Sequence, residues 1–231
     1  MILITRPKDQ AINLYEKLSA QGFRCHIESL SQIKLINQNL KFDKNKIHLV
    51  SSPRVVDVLI KNIHKIQNIS LLVIGSNSAK RIVKAGFKKL VFQASNSEEM
   101  FHFIKTSKIK SIEYLTGTVR NREFCDKINK LDIKLNLRIV YETRFRKSFT
   151  PKCINLIKKK SVKIALVYSV ANARHLISLI DKSKAELYAK HIIYVCLSKK
   201  ISEVFQIRGF SSVYSNHPNE KNMLKKLKKV I

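Results

Sequence analysis

The chain has 231 residues, 45% of them apolar and 8% aromatic, which fits one or two globular domains and excludes an intrinsically disordered chain. No run approaches the ~18 consecutive apolar residues of a membrane span, so no segment is expected to cross a membrane. Forty-five basic against sixteen acidic residues leave a formal charge of +29, which attracts polyanions. Yet the lysines are spread over the whole chain, and a shifted genome composition, rich in Ile and Asn and with only five glycines, accounts for the same bias.

In chain order, Met1-Ile-Leu-Ile-Thr-Arg-Pro7 lacks a basic head before its short apolar run. It reads as a buried strand, Ile2–Thr5, rather than a signal peptide. Asp9–Ala20 has helical spacing, with Ala11, Leu14, Tyr15 and Leu18 on one face and a stop at Gly22. Strands are predicted over Phe23–Glu28, Ile47–Ser51 and Leu71–Gly75, then a helix over Asn77–Ala85 that closes at Gly86. Lys89–Gln93 is the next strand, followed by a helix capped at Ser97 with Glu98 and Glu99 in its first turn. The remaining strands are Ile112–Thr116, Leu137–Thr143, Ile164–Ser169, Ile192–Leu197 and Ser212–Ser215, with a helix over Ser198–Arg208 ending at Gly209. Alternating strands and helices predict an α/β fold of parallel sheets flanked by helices.

The chain repeats itself. Leu49-Val-Ser-Ser-Pro-Arg-Val-Val-Asp-Val-Leu59 is echoed by Leu166-Val-Tyr-Ser-Val-Ala-Asn-Ala-Arg-His-Leu176, and Leu71–Ala79 with Gly86 is echoed by Ile192–Ser202 with Gly209. Ser52 and Ser169 lie 117 residues apart, Gly86 and Gly209 123 apart. That period is a whole domain rather than a solenoid unit. Two similar domains are expected, with a cleft between them as the place to look for function. The first copy is followed by a strand-helix-strand block, whereas the matching block for the second copy stands at the N-terminus. The expected domains are therefore 1–35 plus 146–231 and, inserted, 37–138. The crossings near 32–37 and 138–146 are β-like and predict a two-stranded β hinge. A plain tandem split near residue 120 is the rival.

Catalytic signatures are missing: no nucleophile elbow, no P-loop, no H-E-x-x-H pair and no closely spaced carboxylates. Cys25, Cys125, Cys153 and Cys196 show no C-x-x-C spacing, which argues against zinc or a disulfide framework and for a reducing cytoplasm. What recurs is a strand running into hydroxyls at a helix start: Ser51-Ser52 with Arg54, Ser76 and Ser78, Ser169, and Ser198 with Lys199 and Lys200. Each serine alone is adequately explained as a helix cap. Together they present amides and helix N-termini that bind carboxylates or phosphates, at the strand ends where open parallel sheets hold ligands. Arg120 and Arg122, in Gly117-Thr-Val-Arg-Asn-Arg122, follow another strand end and can fork onto carboxylates. Tyr141 falls in the expected hinge, where its hydroxyl can face the cleft.

The ordered set Leu3-Ile-Thr-Arg-Pro7, Ser51-Ser-Pro-Arg-Val-Val56, Val73-Ile-Gly-Ser-Asn-Ser-Ala79 with Gly86, Val140-Tyr-Glu-Thr143, Val167-Tyr-Ser169 and Leu197-Ser198 with Gly209 resembles the uroporphyrinogen-III synthase family over essentially the whole chain. The resemblance implies two α/β domains joined by a β ladder, one built from both chain ends, in a monomer without metal or cofactor. It also implies the reaction: hydroxymethylbilane, a linear tetrapyrrole with eight carboxylates, is closed to uroporphyrinogen III with its last ring inverted. Tyr141 is then the residue that assists departure of the terminal hydroxyl, and Ser78 lines the cleft. Ser52, Ser169 and Ser198 match positions that hold substrate carboxylates through backbone N–H groups. Arg120 and Arg122 sit near a basic pair of the family, displaced by an apparent one-residue insertion.

One departure concerns the region that in the family reads Gly-Pro-Thr-Thr or Ser-x-x-Thr. Here it is Ser198-Lys-Lys-Ile201, with Lys200 offered as carboxylate partner in place of a threonine. The alternative is a non-catalytic two-domain module for nucleic acid or another polyanion. The aromatic residues interleaved with lysines that would favour nucleic acid are missing from the sequence.

Overall fold

The computed structural model describes residues 1–36 and 42–230; the expected domain start at 37 lies outside the described residues. In chain order the elements are β1 (Ile2–Ile4), α1 (Lys8–Ser19), β2 (Cys25–Ile27), β3 (Ser31–Leu35), β4 (Ile47–Val50), α2 (Pro53–Lys61), α3 (Ile63–Ile66), β5 (Ser70–Ile74), α4 (Ser76–Ala85), β6 (Lys89–Ala94), α5 (Ser97–Thr106) and β7 (Ser111–Gly117). They continue with α6 (Arg122–Asn129), β8 (Lys134–Phe145), α7 (Pro151–Lys158), β9 (Ile164–Val167), α8 (Val170–Lys182), α9 (Glu186–Ala189), β10 (Ile193–Cys196), α10 (Lys199–Gln206), β11 (Ser212–Tyr214) and α11 (Glu220–Leu227). Each expected strand has its counterpart, within a few residues at the ends. No described helix is long and apolar enough to cross a membrane.

Two compact units divide the chain: residues 1–33 with 144–231, and residues 34–143. The sheet of the first has the order β11-β10-β9-β1-β2, and that of the second has β3-β8-β7-β4-β5-β6. Setting β3 aside, both follow one scheme. Three strands are laid down outward from the middle of the sheet, and two more are added on the other side, all in parallel. In the first unit the last two strands come from the N-terminal end of the chain. The order reverses between β9 and β1 in one sheet and between β4 and β7 in the other. In open α/β sheets such a switch point is where ligands bind.

Residue alternation explains why the strands read as unbroken apolar runs. In the first unit Leu3, Ala165, Val167, Tyr194 and Cys196 join Cys153, Ala173, Leu176 and Phe205 on one face. Ile2, Ile4, Ile164, Leu166 and Val195 join Ala11, Leu14, Leu18, Met223 and Leu227 on the other. With both faces covered, the inner strands β1, β9 and β10 are built almost wholly from apolar residues. Burying each such Leu or Ile contributes about 1.5–3 kcal/mol. In the second unit Leu49, Leu72, Ile112 and Tyr114 meet Met100, Ile104, Phe124 and Ile128 from α5 and α6.

The helix stops at Gly86 and Gly209 have φ of 99° and 70°, the left-handed region that glycine enters without steric cost. The cap of α5 corrects an expectation. Asn96, not Ser97, is the N-cap, its Oδ1 accepting from the amides of Glu98 and Glu99 at 3.0 and 2.9 Å, because Asn96 is the residue still in extended conformation.

A titratable group is set into the apolar interior of the second unit. His48 on β4 is fully buried, its Nε2 2.9 Å from a carboxylate oxygen of Glu113 on β7. Burial depresses its pKa, and the nearby Glu113 charge only partly opposes this. His26 and His175 are likewise depressed, chiefly by burial. A lowered folded-state value means that the unfolded chain takes up protons first, so stability is complete above the ordinary histidine pKa of about 6.5 and is lost as pH falls below it. Urea midpoints measured at pH 7.5 and pH 5.5 should therefore be lower at the acid pH. A midpoint that rises on acidification would contradict this account.

Candidate functional site

At the switch point of the second unit, β4 ends at Val50 and the chain turns through Ser51 and Ser52 into α2. Ser52 is in extended conformation, and its hydroxyl accepts from the Arg54 amide at 3.2 Å as an N-cap. The same oxygen lies 3.0 Å from the phenol oxygen of Tyr141 on β8. Beside this pair, the hydroxyls of Ser51 and Tyr114 form a second, shorter hydrogen bond. Burial raises the pKa of Tyr114. Two serine–tyrosine pairs thus stand together at the carboxyl edge of the sheet, where parallel strands present ligand sites.

The other predicted residues of this unit are placed less uniformly. Arg54 is partly buried, its Nη1 4.0 Å from Asp57, which also pairs with Arg81 at 2.6 Å. Ser78 is buried in the first turn of α4, behind Gly75. Arg120 is partly buried in the loop after β7, with Nη1 donating to the Thr118 carbonyl at 3.4 Å, while Arg122 is exposed as the first residue of α6. The two arginines therefore differ in setting, and Arg120 is the better held.

In the first unit, Ser169 caps α8, accepting from Asn172 N at 3.1 Å. Ser198 stands at the N-cap of α10 in extended conformation, but its hydroxyl makes no cap bond. Lys200 is exposed in the first turn of that helix. The switch point here holds groups that sequence reasoning did not single out as site residues. Arg6, just past β1, lies over the ring of Tyr168 at 4.2 Å, pairs with Glu220 and donates to Gln10 at 3.2 Å. Burial raises the Tyr168 pKa, and the Arg6 charge partly offsets it. The repeat aligns Tyr168-Ser169 with Ser51-Ser52, and that alignment was the available signal for Tyr168.

Among the described residues His26, Glu28 and Cys153 bring their donor atoms within 4.8 Å of one another. The Glu28 carboxylate is already committed. Oε1 accepts from Arg146 Nη1 at 2.7 Å and from Thr150 N at 2.8 Å, and Oε2 accepts from Thr150 Oγ1 at 2.7 Å. With a guanidinium seated on it, this carboxylate is an anchor of the fold and a poor ligand for a cation.

The model of the uroporphyrinogen-III synthase HemD family matches residues 13–225. Among solved structures, uroporphyrinogen-III synthetase from Helicobacter pylori aligns with 16% identity and a TM-score of 0.68, covering 100% of this chain and 99% of its own. A mutant uroporphyrinogen III synthase from Thermus thermophilus aligns with 10% identity and a TM-score of 0.68, covering 100% and 98%. At such identities these likenesses speak for the fold alone. No curated protein matches the chain significantly.

Proposed function

The chain belongs to the uroporphyrinogen-III synthase family, cyclising lyases of tetrapyrrole biosynthesis that need no cofactor, and from that membership we propose how its own residues serve the reaction. The substrate is hydroxymethylbilane. Tyr141 donates its phenolic proton to the terminal hydroxyl, the C–O bond breaks, and water leaves behind an electron-poor azafulvene. The pyrrole of the last ring attacks through its substituted carbon, giving a spiro intermediate that fragments and recloses with that ring inverted. The proton released when the last ring regains aromaticity returns to the phenolate, so the enzyme ends as it began. The chemistry suits a site poor in carboxylates and histidines, because the nucleophile is carried by the substrate.

The observation that carries this reading is the 3.0 Å contact between Ser52 Oγ and Tyr141 OH at the sheet's switch point. A serine that accepts from the Arg54 amide keeps its own proton to donate. It can therefore stabilise the phenolate that Tyr141 becomes. The remaining work is to curl a flexible polyacid and to exclude the uninverted closure, which is a matter of positioning. We assign that to the amides and cations at Ser52, Arg54, Ser78 and Arg120, with Arg122 at the exposed edge. Ser169, Ser198 and Lys200 are the carboxylate partners that the other unit offers. A substrate with eight carboxylates has use for all of them.

The test is product identity. Purified protein given hydroxymethylbilane should yield the type III isomer in large excess over the type I product of spontaneous closure. An isomer ratio equal to that of the protein-free control would remove the proposal.

A further inference from the structure

We infer that Gly117 is a positioning residue for Tyr141, set by a register slip in the sheet; the inference rests on the catalytic reading of Tyr141 above. Along the parallel pair β7–β8, Ser111 through Thr116 face Lys134 through Ile139 one for one. The register then slips, so that Gly117 faces Tyr141 and not Val140. Val140 is the extra residue, and its carbonyl accepts instead from Ile36 N at 3.2 Å. Because side chains alternate across a strand, a slip of one residue exchanges the faces of everything beyond it. Tyr141 thereby comes to the side on which Gly117 would carry a Cβ.

That missing atom is the essential point. A Cβ built on Gly117 would lie 2.3 and 2.4 Å from Cε2 and Cζ of Tyr141 and 2.9 Å from its hydroxyl oxygen, distances that no real Cβ tolerates. The ring rests on the bare Cα of Gly117, which aims the phenol at Ser52. Gly117 does not have a positive φ, so backbone conformation does not require glycine here. Only the ring does. Beyond the slip, Thr118 fixes the arrangement: its amide donates to the Tyr141 carbonyl at 3.1 Å, and its hydroxyl accepts from Thr143 N at 3.0 Å.

Gly117→Ala changes no polar group, so it tests placement separately from chemistry. It should lower kcat by about tenfold to a hundredfold, since misplacing a reacting group by about an ångström costs that much, and leave KM within about twofold. Tyr141→Phe should lower kcat similarly, and the double variant should be no slower than Tyr141→Phe alone, because the alanine then displaces a ring that has already lost its hydroxyl. In protein carrying ¹³C-labelled tyrosine, the resonance that vanishes in Tyr141→Phe should move in Gly117→Ala. An unmoved resonance, multiplying losses in the double variant, or full kcat in Gly117→Ala beside a crippled Tyr141→Phe would each overturn the positioning role. Full activity in Tyr141→Phe overturns the catalytic reading instead, and the resonance still reports whether Gly117 places the ring. If Gly117→Ala does not fold, it should fold in a Tyr141→Ala background, where the clash is gone. Failure there too would mean that something other than the ring demands glycine.

Discussion

Replacing Glu28 by alanine is expected to lower the free energy of unfolding by about 3 kcal/mol, because removing one partner from a buried ion pair leaves the other uncompensated. Glu28 is only 1% exposed, and its two oxygens accept from Arg146, the Thr150 amide and the Thr150 hydroxyl. The bonds tie the end of β2 to the start of α7, whose cap is Thr150 itself through Cys153 N at 3.1 Å. Alanine would strand the Thr150 amide and weaken that cap. The side chain of Arg146 is 34% exposed, so it can turn to water, which keeps the loss at the lower end of the usual 3–5 kcal/mol range. For a chain of this length the melting temperature should fall by about 10 °C. Glu28→Gln keeps one acceptor oxygen for Arg146 and the Thr150 amide but sets an NH2 donor against the Thr150 hydroxyl, and should cost about 1–2 kcal/mol. Urea denaturation decides the matter: an alanine variant within about 0.5 kcal/mol of the parent, the scatter of an ordinary surface change, would mean that the cluster contributes nothing.

The layered fold was legible because both faces of each sheet are covered. Ile2–Ile4, Leu49–Val50, Leu71–Ile74 and Ile164–Val167 are therefore short and continuously apolar. The repeat placed hydroxyls at the strand ends for the same reason: a helix following a parallel strand needs a cap. Contacts across long separations were not legible. Ser52 and Tyr141 are 89 residues apart, Ser51 and Tyr114 are 63, and Arg6 and Glu220 are 214; no local pattern records such meetings. The slip at Val140 was invisible because a bulge in a half-buried strand changes no residue type that periodicity can sense. Gly117 looked like an ordinary strand end, and Asn96 was passed over for Ser97 because both are good caps and only backbone conformation separates them.

Raising the salt concentration from about 20 mM to about 500 mM should lower kcat/KM for hydroxymethylbilane by tenfold or more, with kcat changed by less than about twofold, since charge steering accelerates association by about 10–10³-fold and is screened away as the Debye length shrinks. The formal charge of +29 has two explanations that no single lysine distinguishes. Composition drift places cations without regard to substrate, whereas capture of an eightfold carboxylate gains from every one of them. A field of this kind needs no patch: spread lysines sum at long range, so the run Lys158-Lys159-Lys160 can contribute without belonging to any site. Changing those three to glutamine should flatten the salt dependence while leaving kcat at low salt intact. Lys200→Gln, by contrast, should raise KM at every salt concentration if it holds a carboxylate directly. A kcat/KM that ignores salt would assign the charge to composition alone and leave substrate recognition entirely to the groups at the strand ends.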